Sequence, residues 1–82
     1  MDESSVVTYW VIYNNPSDFP GNFVVRRHFR VVGFKTMYAE EEPVIVTDSI
    51  DQARSAIPDT CSNKGRHDED DPHIVEVWKL PT

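Results

Sequence analysis

The apolar positions of this chain fall into one long run, several shorter strand-like segments and a single helical stripe. The long run is Val6 to Tyr13, VVTYWVIY, built only of β-branched and aromatic residues, the types that suit a pleated, packed surface. Its length is that of a strand, and Asn14, Asn15 and Pro16 stop it. Val7, Tyr9, Val11 and Tyr13 point one way and Val6, Thr8, Trp10 and Ile12 the other, so neither face is polar. A strand apolar on both faces needs cover on both. It therefore belongs in the middle of a sheet, and the other segments read as its partners.

Asn14 to Asn22, NNPSDFPGN, is rich in turn formers and too long for a tight hairpin, so it is a structured loop anchored by Phe19. Phe23 to Val32, FVVRRHFRVV, alternates. Phe23, Val25, Phe29 and Val31 share one face with Arg27, and Val24, Arg26, His28, Arg30 and Val32 share the other. This second strand is expected antiparallel to the first. Gly33 ends it, and Phe34 to Glu42 is ambiguous: FKTMY can extend the strand past a bulge at Gly33, whereas Glu40, Glu41 and Glu42 are solvated. Val44 to Thr47 is a short third strand behind Pro43, which suits an edge.

Ser49 with Gln52 forms a capping-box pattern, Asp48 and Asp51 favour the positive end of a helix, and Ile50, Ala53, Ala56 and Ile57 make one stripe. Pro58 closes this helix after about two and a half turns. Residues 59–72 are expected to be a polar, mobile loop, and His73 to Leu80, HIVEVWKL, the last strand, parallel beside the third. The predicted fold is thus α+β: a four-stranded mixed sheet in the order β-β-β-α-β, with one short helix packed on one face. It forms a single domain over 1–82, frayed at residues 1–5.

Composition narrows the function classes. Acidic residues number 14 against 8 basic ones, for a net charge of −6, which disfavours non-specific binding to nucleic acid or to an anionic membrane. No apolar run approaches the roughly 20 residues of a membrane span. A single cysteine, Cys61, excludes an internal disulfide. With no secretory h-region at the N-terminus, a cytoplasmic setting is expected.

The segments WVIYNNPSDFPGNFVVRR, SIDQARSAIP and DDPHIVEVW resemble a group of short uncharacterised proteins predicted from bacterial and bacteriophage genomes. The resemblance implies a bacterial or phage origin and carries no activity with it.

Four sets of side chains are chemical candidates. Arg26, Arg27, His28 and Arg30 form a basic strand that would contact an anion or nucleic acid, with Phe29 and Tyr13 nearby to stack on bases. The plainer account pairs them with carboxylates such as Glu76 or the Glu40 to Glu42 run. Arg27, between Val25 and Phe29, needs such a partner most. His67, Asp68, Glu69, Asp70, Asp71 and His73 are ligand types without calcium-loop or zinc spacing, so no metal or cofactor is predicted. Cys61 with His67 or His73 lacks a third group to orient a nucleophile and base, so no enzymatic activity is predicted. Finally, one helix cannot cover both sheet faces. Trp10 and Ile12, with part of Trp78, are therefore the candidate partner surface for another protein or a second copy in a homodimer. The expected function is that of a small acidic protein-binding protein, with an inhibitor of a host system as one subclass. The alternative is a nucleic-acid-binding module that uses Arg26 to Arg30.

Overall fold

A computed structural model describes residues 6–65 and 72–81. The expected fraying at residues 1–5 and the acidic run His67 to Asp71 lie outside the described residues.

Among the described residues six strands form one sheet, with a single short helix packed against it. They are β1 (Val6–Asn14), β2 (Phe23–Val31), β3 (Met37–Ala39), β4 (Ile45–Thr47), β5 (Ser62–Asn63) and β6 (Ile74–Lys79), with α1 (Ile50–Ser55) between β4 and β5. The order is β3-β2-β1-β6-β5, with β4 beside β2 in line with β3. Every pairing is antiparallel. The predicted four-stranded mixed sheet is therefore wrong in strand number and in direction.

Two local causes account for the difference. Gly33 does not carry β2 past a bulge; its φ of +90° lets the chain reverse, and Phe34 N–H donates to Val31 O at 3.0 Å. Positive φ at the third residue alone is what a type II turn requires, and it returns the chain as β3. The second cause lies after the helix. Ser62 and Asn63, inside the expected loop, pair with Lys79 and Trp78. The chain thus crosses the sheet from β4 to the far edge as β5 and turns back, so β6 runs against β1 instead of alongside β4.

β1 has β2 on one side and β6 on the other, as its two apolar faces demand. Trp10, Ile12, Val25, Ala53, Ile57 and Cys61 form the buried core under α1, with Phe23, Ile45, Val75, Trp78 and Leu80 packed around it. Ser49 caps α1, its Oγ accepting from Gln52 N–H at 3.4 Å. The return bond of a capping box runs through a third residue here. Thr47 Oγ1 accepts from Ser49 N–H at 3.2 Å and donates to Gln52 Oε1 at 2.6 Å, which explains why Thr47 is buried.

Across the sheet, the loop of residues 14–22 is ordered. Asn15 takes a left-handed φ of 55° and its Oδ1 accepts from Gly21 N–H at 2.7 Å. Phe19 lies 5.9 Å from the Arg26 guanidinium carbon and Asp18 pairs with Arg26. This loop supplies part of the cover that β1 needs on the face away from the helix.

Candidate interaction surface

The helix settles on the Trp10 and Ile12 side of β1. Ile12 has no exposed surface, Trp10 is 9% exposed, and Trp78 packs against the same cluster. Trp10 and Ile12 of the expected partner surface are therefore core and cannot meet a partner, and Trp78 is partly buried against them. Ala53 and Ile57 of the helical segment seat on these residues.

Uncovered apolar surface exists elsewhere. The six-residue α1 is about 9 Å long, whereas the nine-residue β2 spans about 30 Å. The helix meets β2 and β4 near Val25 and Ile45 and leaves the Phe29 end of the sheet bare. Tyr38, directly across from Phe29, is 59% exposed, and Phe34 in the preceding turn is 65% exposed. Val32 is exposed beside them. The remaining exposed large apolar residues are Met37, Val44 and Val46, so among the described residues all six lie between positions 32 and 46, on one margin of the sheet.

That margin is interrupted. Glu40 N–H donates to Arg27 O and Val44 N–H to Val25 O, so the four residues Glu41 to Val44 face Arg26 alone. The insertion separates β3 from β4 and places Pro43 and two carboxylates on the rim. Such bulges, charges and prolines blunt a sheet edge against pairing.

The basic strand is divided by alternation, and its members are mostly engaged. Arg27 is on the helix side, where Nη2 and Nε donate to Glu40 at 2.6 and 3.2 Å and the guanidinium stands 5.6 Å from the Phe29 ring. Arg26, His28 and Arg30 are on the other face, opposite Val11, Tyr9 and Val7. Arg26 lowers the pKa of the Asp18 carboxyl through its hydrogen bond, and its guanidinium lies 6.0 Å from the Tyr13 ring and 5.9 Å from the Phe19 ring. Its Nε is buried with no hydrogen-bond partner among the described residues. His28 lies 3.0 Å from Tyr13 Oη, and burial, aided by the Arg26 charge, pushes its pKa down. The neutral imidazole is therefore favoured. Arg30 reaches Tyr9 Oη at 3.5 Å. Of the two carboxylate partners expected from sequence, Glu40 is used and Glu76 is not.

Glu76 instead joins helix to sheet, accepting a forked pair from Arg54 and a 3.0 Å bond from Trp78 Nε1. The Arg54 hydrogen bond, more than any other contact, holds its carboxyl below the usual value of 4.5. A carboxylate with a lowered folded pKa stabilises above its unfolded pKa, and that contribution is lost as pH falls through the folded value. Urea midpoints measured from pH 6 downward are thus expected to fall below about pH 4.5, and Glu76→Gln to flatten that fall. An equal decline in both proteins would exclude the link.

The same face that carries Arg26, His28 and Arg30 also receives Lys79 of β6, opposite Tyr9, and Lys64, whose N–H donates to Val77 O at 2.7 Å. With Tyr9, Val11, His28, Met37, Ile74 and Val77 these two lysines line a groove of about 580 Å³. Sequence reading missed both, because nothing local in CSNKG or VWKL relates them to β2; only the antiparallel order of β5 and β6 does. Cys61 was expected in a mobile loop and is instead core beside Ala53 and Ile57, where burial pushes its thiol pKa up. Such a thiol is a poor nucleophile. His73 Nδ1 donates to Asn14 O at 3.2 Å. Among the described residues no three His, Cys, Asp or Glu side chains group to hold a metal ion, and no helix is long and apolar enough to cross a membrane.

Comparison with protein-family models, with curated proteins and with solved structures gives no match in any of the three.

Proposed function

We propose that this is a small acidic, non-enzymatic protein that acts by binding another protein, a second copy of itself included, through the Val32, Phe34 and Tyr38 corner. The resemblance to short bacterial and phage proteins favours the cytoplasm of a bacterial cell as its setting. The observation that carries the proposal is the confinement of exposed large apolar side chains to one margin, with two aromatics at its end. Aromatics at a locally uncovered patch are the residue types that anchor protein interfaces.

The test is sedimentation equilibrium of the purified protein together with affinity capture from its native host. Phe34→Glu combined with Tyr38→Glu is expected to weaken self-association or capture by about tenfold or more. Both sites are exposed, so the unfolding free energy should change by no more than about 0.5 kcal/mol. If neither association nor capture responds to the double substitution, the corner is not the binding surface.

A second reading has one specific observation behind it. Arg26, His28, Arg30, Lys64 and Lys79 share a sheet face with Tyr9 and Tyr13, an arrangement suited to stacking and backbone contact with a single strand. The engagement of Arg26 by Asp18, the removal of Arg27 to the other face and the net charge of −6 weigh against it.

A further inference from the structure

The groove on the face opposite the helix has a composition that the hairpin corner lacks. Its floor is apolar, with Val11 and Val77 side by side on β1 and β6, and Met37 and Ile74 extend it. Its polar groups are Tyr9, His28, Lys64 and Lys79, and no carboxylate lines it among the described residues. Of the β2 cations on this face, Arg26 is paired with Asp18, and Arg30, across from Met37, reaches the Tyr9 hydroxyl at 3.5 Å and adds a further positive charge at the groove's edge. Two ammonium groups beside a greasy floor form the pattern of a pocket for a ligand with an apolar body and one anionic end. At about 580 Å³ the space matches small-ligand pockets.

We propose that this groove binds an amphipathic organic anion, its charged head between Lys64 and Lys79 and its body along Val11, Val77 and Met37. The lysine pair sets the orientation. Tyr9, registered between His28 and Lys79, lines the groove, with its hydroxyl accepting from Arg30 at 3.5 Å. A nucleic acid fits less well, since binding a strand asks for cations that track a backbone beyond one pocket, and beyond the two lysines Arg26 and Arg27 are occupied by Asp18 and Glu40, which leaves Arg30 to extend the track. This proposal concerns a different surface from the protein-binding corner and stands or falls separately.

Titration of the full chain with decanoate, followed by amide chemical shifts and calorimetry, tests it. Saturable one-to-one binding is expected, with the largest shifts at Tyr9, Val11, Val77 and Lys79. Lys64→Gln with Lys79→Gln should weaken it about tenfold or more, because charge-assisted contacts to the head group are lost. The thermal midpoint should be unchanged. Absence of saturable binding below the micelle concentration of decanoate overturns the proposal, as does binding that survives the double substitution. A parallel arm uses oligothymidylate at low salt. Tight, steeply salt-dependent binding abolished by the same two substitutions, without a decanoate response, would reassign the groove to nucleic acid.

Discussion

Truncation of Ile12 to alanine is expected to remove about 2–5 kcal/mol of stability, one of the largest effects any single side chain here can produce. Ile12 has no exposed surface and sits between Val25 of β2 and the Ala53 and Ile57 stripe of the helix. Its removal leaves a hole that neither neighbour can fill, because the β1–β2 register and the helix cap both fix the walls. A domain of this size has roughly 5 kcal/mol in total, so the variant should be substantially unfolded at physiological temperature. Urea unfolding checks it: the midpoint should fall sharply with little change in slope. Val46→Ala, on the exposed rim, is the control and should stay within about 0.5 kcal/mol. A loss under about 1 kcal/mol at Ile12 would mean that the helix does not depend on this seam.

The same seam explains how much of the fold was legible beforehand. β1, β2 and the helix cap were visible because each is written locally: an apolar run, an alternation, and a Ser49 to Gln52 spacing. Which face of β1 the helix would take was not, since both faces of VVTYWVIY are apolar and the choice depends on tertiary packing. The partner surface was consequently placed on Trp10 and Ile12, which the helix in fact covers. β5 escaped notice because Ser62 and Asn63 have no strand preference of their own; they pair only because Trp78 and Lys79 are there to receive them. The fate of the basic strand was half legible. Alternation correctly put Arg27 alone on the core side, and the Glu40 partner lay within the carboxylate run proposed for it. Lys64 and Lys79 were beyond reach, as their proximity is a property of sheet order.

The interruption between β3 and β4 has a consequence for solubility that can be measured. Deleting Glu41, Glu42 and Pro43 places Val44 directly after Glu40. The count of residues opposite β2 then becomes one for one, and Glu40 can keep its pair with Arg27. Alternation is preserved as well, since Val44 falls opposite Arg26 with no residue to spare. The product is one unbroken strand from Met37 to Thr47 on the outer rim, carrying Tyr38, Val44 and Val46 and stripped of its proline and two carboxylates. An unbroken apolar edge with free N–H and C=O groups is a template for another copy. Made in the Phe34→Glu background, which weakens the corner and adds no charge to the rim strand, the deletion is expected to produce a protein whose sedimentation coefficient climbs with concentration more steeply than that of its parent. Adding Val46→Lys to the deletion should reverse this, because a rim lysine restores the electrostatic guard without touching the core. If the deleted protein folds and remains as monodisperse as its parent at every concentration, then the inserted residues are not what keeps this edge unpaired.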